Sequence, residues 1–120
     1  MESLKNKIEK FKEYVIIVEG KNDSLAMKSA GFEKVYEIHK TYWTLRERVE
    51  QIASMIKRED TVCILTDLDK TGRQLYLKIK PILQELGIKI DSSFRNILVK
   101  EGISHIEEIG VFFKKIENSK

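Results

Sequence analysis

Two acidic residues one position apart are the feature of this 120-residue chain that most directly indicates chemistry. Asp67 and Asp69 follow the apolar run at residues 61–66, which is typical of a buried strand. At the end of an extended strand, side chains two residues apart point to the same side. Two carboxylates held in this way repel each other unless a cation lies between them. The pair therefore predicts a Mg²⁺ site, with Mn²⁺ as the alternative ion, because both are hard cations that take oxygen ligands.

The alternative interpretation of the pair is two solvated loop aspartates that cap the next helix. A third carboxylate, Glu19, bears on this choice because it ends the other strongly apolar run, at residues 14–18. If the two strands are adjacent, Glu19 faces Asp67 and Asp69 across one strand spacing, on the order of 5 Å. Buried like charges are costly, so three converging carboxylates favour a functional site. There Glu19 could bind metal or act as a general acid or base in phosphoryl transfer.

The order of the predicted elements places both acidic stretches at one edge of a sheet. Apolar runs predict strands at residues 14–18, 35–38, 61–66 and 88–90, and apolar spacing predicts helices between and after them. This order predicts an α/β fold with a mainly parallel sheet of about four strands and helices on both faces. Such sheets place their sites beyond the carboxyl ends of the strands. Pro81 lies inside the helical pattern at residues 75–86 and predicts a kink or a break there.

Composition limits the class of protein. The formal net charge of +3 is too small to indicate a protein that coats nucleic acid. The single cysteine, Cys63, cannot form an internal disulfide, and with two histidines it cannot build a zinc cluster. The N-terminal residues are charged and do not resemble a signal peptide, and no apolar run approaches the roughly 20 residues that span a bilayer. We therefore expect a soluble cytoplasmic domain without a membrane partner.

The two acidic stretches also resemble the motifs of a known family. Val18–Asp23, with its Glu-Gly pair, is similar to the first motif of Toprim domains, and Leu65–Gly72, with DxD followed by Gly, is similar to the second. The chain resembles small stand-alone Toprim proteins and the Toprim domains of bacterial primase and ribonuclease M5. This resemblance implies one Toprim-like, Rossmann-like three-layer domain over residues 1–120. Its core would span about residues 14–90 and its helical C-terminal segment residues 91–120.

The resemblance implies a role for each matching acidic residue. Glu19 matches the glutamate proposed as general acid/base, and Asp67 and Asp69 match the pair that binds Mg²⁺. Asp23 matches the acidic residue that closes the first motif in primase-like and M5-like members, where it assists the site or only caps a helix.

Three basic residues are candidates for contacts with phosphate. Lys21 follows the Glu-Gly pair, although a surface position is the simpler interpretation. Arg73 follows the glycine of the second motif, where topoisomerases carry an acidic residue, so this position argues against a topoisomerase and could meet phosphate. Arg95 is either a phosphate contact or an ion-pair partner of the acidic site. His105 could be a ligand or proton carrier, but we interpret it as a structural or surface histidine.

These observations favour a Mg²⁺-dependent phosphoryl-transfer domain that acts on RNA or DNA, most simply a nuclease or processing factor. An alternative is a non-catalytic module that binds nucleic acid or a nucleotide, or that needs a protein partner. A minor alternative is a haloacid-dehalogenase-like phosphatase, because Asp67–Thr71 fits the DxDxT motif with Asp67 as nucleophile. Tyr42 and Trp43 could stack on bases, although a core or helix-staple role for Trp43 is the simpler interpretation.

Overall fold

The computed structural model describes residues 3–118 and contains one four-stranded sheet. The strands are β1 (Val15–Val18), β2 (Val35–Glu37), β3 (Thr61–Ile64) and β4 (Lys89–Ile90). They are all parallel, in the order β2-β1-β3-β4, so the two most apolar strands lie side by side in the centre. The predicted α/β fold with a parallel sheet of four strands is confirmed.

Helices cover both faces of this sheet. They are α1 (Leu4–Glu9), α2 (Lys21–Ser29), α3 (Leu45–Met55), α4 (Lys70–Glu85), α5 (Ser93–Lys100) and α6 (Ile109–Asn118). Short 3₁₀ turns at Lys10–Glu13 and Ile106–Glu108 follow α1 and precede α6. The last two residues of the predicted C-terminal segment, 119–120, lie outside the described residues. None of the described helices is long and apolar enough to cross a bilayer.

The strand side chains alternate between two separate hydrophobic cores. Ile16 and Val18 of β1 face the core formed with α1, α2, α5 and α6, whereas Val15 and Ile17 face the core formed with α3 and α4. Every residue of β1 is therefore buried, which explains why its sequence is apolar without interruption. The sheet is covered on both faces, so side chains that meet a ligand must lie at the ends of the strands.

Two details of the helices differ from the sequence-based expectation. Pro81 lies inside α4, which continues unbroken from Lys70 to Glu85. Proline removes one hydrogen bond, to the carbonyl of Leu77, and both residues lie on the exposed face, where water can replace the lost donor. The N-cap of helix α2 is Gly20, and Asp23 contributes to the cap without occupying the N-cap position. Asp23 reaches back from the third helical position, and its Oδ2 accepts a hydrogen bond from Gly20 N at 3.2 Å.

Phe94 of α5 provides a test of the core that lies beneath the closing helices. Its fully buried ring stacks on Phe11 and Phe32, with centroid distances of 4.9 and 5.5 Å. We expect Phe94→Ala to lower the free energy of unfolding by about 3–5 kcal/mol, because the substitution leaves a cavity in this core. Chemical denaturation measures this loss. Val99→Ala, an exposed position on the same helix, is the matched control and should change stability by less than about 0.5 kcal/mol.

Candidate functional site

The ends of the two central strands bring Glu19 and Asp67 together. The parallel register pairs Ile17 with Ile64, so the residues that follow each strand emerge at the same edge of the sheet. Glu19 Oε2 accepts a hydrogen bond of 2.7 Å from the backbone N–H of Asp67. The other carboxylate oxygen, Oε1, lies 3.7 Å from Nε2 of His39, which follows β2. The expected adjacency of the two strands is thus confirmed, and it holds the Glu19 carboxylate against the aspartate loop.

Asp67 and Asp69 each use one carboxylate oxygen to fix the local backbone. Asp67 Oδ1 accepts a hydrogen bond of 2.9 Å from Ile106 N, and Asp69 Oδ1 accepts one of 2.8 Å from Gly72 N at the start of α4. The helix-capping role considered for the pair therefore applies to Asp69. It occupies only Oδ1, so Oδ2 of Asp69 is left for a ligand. Capping and cation binding are compatible in this loop.

The same two aspartates form a cluster with His105. One potential ligand atom from each of Asp67, Asp69 and His105 lies within 4.8 Å of the other two, a spacing that one cation can bridge. Oδ2 of Asp69 lies 3.6 Å from Nε2 of His105. Carboxylate oxygens suit Mg²⁺ and Mn²⁺, and an imidazole nitrogen suits transition metals. The donor set of these residues therefore fits a divalent metal ion.

The aspartate loop requires glycine at position 72. The loop turns so tightly that a Cβ atom at Gly72 would lie 1.9 Å from the carbonyl oxygen of Asp67. The buried hydroxyl of Thr66 donates a hydrogen bond of 2.6 Å to the carbonyl oxygen of Gly72 and closes the turn. The glycine of the second motif is therefore needed for close packing of backbone against backbone, and Thr66 fixes that packing.

Arg95 of α5 supports this loop from inside the protein. Only 7% of the residue is exposed, and its guanidinium stacks over the ring of Tyr76 with 4.6 Å to the centroid. Nη1 donates to the carbonyl oxygen of Thr66 at 2.7 Å, and Nη2 donates to that of Asp67 at 3.1 Å. Burial lowers the pKa of Arg95. Arg95 is thus placed beneath the loop, bonded to its backbone, rather than toward a phosphate or in an ion pair with the carboxylates.

Asp23 adds a further negative charge to the edge. Its pKa is raised above the ordinary value mainly by burial, and the charges of Asp67, Glu19 and Glu107 raise it further, against the hydrogen bond from Gly20. Asp23 therefore caps α2 and also lies in the field of the site. The excess of negative charge here is the kind that a bound cation relieves.

Lys21 and Arg73 lie on the first turns of α2 and α4, the two helices that begin at the site. Both side chains are exposed, and among residues 3–118 neither makes a hydrogen bond or ion pair. Their positions leave them open to a ligand that extends beyond the acidic cluster. Their predicted role in phosphate binding stays a prediction.

Comparison with known proteins identifies the family. A model of the Toprim domain matches residues 14–94. The chain belongs to the Toprim family. It also belongs to the UPF0292 proteins: it is 35% identical over 107 residues to one from Pyrococcus abyssi, covering 85% of this chain and 77% of that protein. The UPF0292 protein of Methanosarcina barkeri is 29% identical over 107 residues, covering 85% of this chain and 71% of that protein.

Two solved structures share the Toprim fold of this chain. A protein from Aquifex aeolicus superimposes with a TM-score of 0.73 and 33% identity, covering 87% of this chain and 93% of that one. The zinc-binding and RNA polymerase domains of the Aquifex aeolicus primase superimpose with a TM-score of 0.59 and 22% identity, covering 98% of this chain and 28% of that one. The latter shows likeness of fold alone.

Toprim membership confirms the resemblance found in the sequence and indicates a metal-binding domain related to nucleic acids. It favours the Toprim interpretation of Asp67 over a phosphatase nucleophile.

The match ends at residue 94, so Arg95 and His105 come from the segment that follows it. The sequence does not predict that Arg95 lies beneath the aspartate loop or that His105 lies beside Asp69. Both residues reach the site through the packing of segments that are distant in the sequence. Gly72 was visible as the glycine of the second motif.

The buried guanidinium yields a prediction about stability. We expect Arg95→Leu to lower the free energy of unfolding by roughly 2–4 kcal/mol, because the carbonyl groups of Thr66 and Asp67 would lose their buried donors. Equilibrium denaturation measures the loss. The matched control is Arg73→Leu, which removes an exposed arginine close to the same loop and should stay within about 0.5 kcal/mol of the unchanged protein. Equal effects of both substitutions would contradict the supporting role of Arg95.

Proposed function

We propose that this Toprim domain catalyses divalent-cation-dependent phosphoryl transfer on RNA or DNA, most simply as a nuclease or processing factor. One observation carries the proposal: Glu19 Oε2 is held at 2.7 Å by the backbone N–H of Asp67, beside the Asp67–Asp69 pair. A proton-transfer group and a pair of potential metal ligands are thus fixed relative to each other by the central strands. A rigid arrangement of this kind is what phosphoryl transfer requires of a protein.

The proposal gives each residue a separate task. Asp67 and Asp69 would hold the cation, which when bound neutralises charge on phosphate oxygens. Glu19 uses Oε2 for the N–H of Asp67, so Oε1, which lies 3.7 Å from Nε2 of His39, would take a proton from the attacking hydroxyl or return one to the leaving oxygen. Lys21 and Arg73, exposed on the helix starts that border the site, would contact flanking phosphates.

Exposed aromatic residues beside the site support a nucleic acid as the substrate. The loop after β2 is tied to Glu19, whose carbonyl oxygen accepts a hydrogen bond of 2.9 Å from His39 N. In this loop Tyr42 is 99% exposed and Trp43 is 46% exposed, and Lys40 lines the same surface cavity as Trp43. A core role for Trp43 is therefore wrong, because 46% of the residue is exposed, whereas the helix-staple role stays a prediction. Aromatic side chains next to a basic side chain are a common binding surface for unpaired bases.

Removing the acidic groups one at a time tests the catalytic proposal. We expect Glu19→Gln and Asp67→Asn each to abolish cleavage of structured RNA or DNA in Mg²⁺ or Mn²⁺. Only Asp67→Asn should also weaken cation binding, since Glu19 is assigned to proton transfer. Gel assays measure cleavage, and isothermal titration calorimetry measures cation binding. Glu33→Gln, an exposed carboxylate at the opposite end of the sheet, is the control and should leave both unchanged.

The same assays distinguish the alternative of a non-catalytic binding module. Cation-dependent, salt-sensitive binding of nucleic acid without cleavage would support that alternative. Cleavage that persists in both Glu19→Gln and Asp67→Asn would overturn the assigned mechanism.

The aromatic loop gives a second prediction. We expect Trp43→Ala to weaken binding of a single-stranded oligonucleotide by about 5- to 150-fold, because a base stacked on an aromatic side chain contributes roughly 1–3 kcal/mol. Trp43→Phe should keep most of the affinity. Fluorescence anisotropy at fixed salt measures both. Leu77→Ala, which removes an exposed apolar side chain from α4, is the control and should have no effect. An equal loss in Trp43→Phe and Trp43→Ala would argue against stacking.

A further inference from the structure

The segment between α5 and α6 docks directly on the aspartate loop. Leu68 N donates a hydrogen bond of 2.8 Å to the carbonyl oxygen of Ser104, and Ile106 N donates one of 2.9 Å to Asp67 Oδ1. These two bonds lie on either side of His105. The backbone of His105 is thereby fixed against the loop by bonds that do not involve its own side chain.

A short chain of hydrogen bonds then orients the imidazole of His105. The hydroxyl of Ser104 lies 3.0 Å from Nδ1 of His105 and donates to Glu108 Oε1 at 3.2 Å. With the hydroxyl proton given to the carboxylate, Nδ1–H of His105 donates to the Ser104 oxygen, which is one of the two tautomers that this contact allows. In neutral His105 this leaves the lone pair on Nε2, the nitrogen 3.6 Å from Asp69 Oδ2.

In that tautomer two acceptor atoms, Nε2 of His105 and Oδ2 of Asp69, face each other at 3.6 Å, and a cation between them can bind to both. Metal-binding histidines typically donate their second ring N–H to a carboxylate, carbonyl or similar acceptor, which fixes the tautomer. Ser104 and Glu108 supply that arrangement here, while Nε2 forms a cluster with Asp67 and Asp69 whose ligand atoms lie within 4.8 Å of one another. Nε2 of His105 therefore lies where a cation bound by Asp67 and Asp69 could also bind to it.

We propose that His105 Nε2 is the third protein ligand of a mixed nitrogen and oxygen site with Asp67 and Asp69, and that it biases this site toward Mn²⁺ over Mg²⁺. This inference rests on the cation site of the proposed function and specifies its ligands and selectivity. Imidazole suits transition metals better than Mg²⁺, which takes oxygen ligands. His105 lies beyond residues 14–94, so the ligand comes from the segment that follows the matched Toprim region.

Pulsed EPR of the full chain loaded with Mn²⁺ alone tests the proposal without any assay of activity. We expect the unchanged protein to show hyperfine coupling from a histidine nitrogen to Mn²⁺. His105→Gln should abolish the coupling and weaken Mn²⁺ binding at least about tenfold. The affinity for Mg²⁺, measured by competition against Mn²⁺, should change much less. His39→Gln is the matched control, since it removes the other histidine of the chain and should keep the coupling.

Circular dichroism shows whether His105→Gln keeps its fold, and the backbone bonds of Leu68 and Ile106 give a reason to expect that it does. Mn²⁺ binding without nitrogen coupling in the unchanged protein, or coupling that survives in His105→Gln, would overturn the role of His105. Either result would leave the proposed function standing, provided that Asp67→Asn still loses the cation. Failure of the unchanged protein to bind Mn²⁺ or Mg²⁺ would instead overturn the proposed function and this inference together.

Discussion

The carbonyl groups that follow β3 point inward, toward the buried guanidinium of Arg95, and the geometry of the site depends on this contact. Beyond Ile64 the chain leaves the regular pairing of the sheet, so its carbonyl oxygens need other donors. Arg95 supplies them to Thr66 and Asp67. The N–H of Asp67, on the other side of the backbone from these carbonyl groups, donates to Glu19 Oε2. The buried guanidinium of Arg95 thus holds the irregular chain after β3 in place as a rigid acidic loop.

The same arrangement explains how the protein tolerates so many negative charges at one edge. Glu19, Asp67 and Asp69 all accept hydrogen bonds from backbone N–H groups, whose partial positive charge lies against the carboxylates. The charge of Arg95 lies directly beneath them. The compensation is incomplete, since the neighbouring charges still raise the pKa of Asp23. The formal net charge of +3 therefore combines an acidic edge with a surface that is otherwise more basic. This distribution is compatible with a polyanionic substrate that binds the acidic edge through a metal cation.

Local signals in the sequence were sufficient for the fold and for the acidic residues of the site. Uninterrupted apolar runs identify strands buried on both faces, and the carboxyl ends of parallel strands share one edge, so Glu19, Asp67 and Asp69 could be placed together. Arg95 and His105 could not be placed, because they reach the loop through contacts with segments far away in the sequence. The sequence also left open whether Trp43 lies in the core or at the surface, since one aromatic residue is typical of either place; the structure exposes it.

The chain from Phe94, the last residue of the matched Toprim region, onward belongs to the core and to the site at once. Phe94 stacks between Phe11 and Phe32 in one core, and the next residue along the chain is Arg95, which holds the aspartate loop. Further on, Ile106 is buried in the same core while its N–H binds Asp67. Packing of apolar side chains therefore determines where the polar groups of these residues lie. A cavity in this core would shift the loop as well as reduce stability, so the site and the closing helices form one cooperative unit.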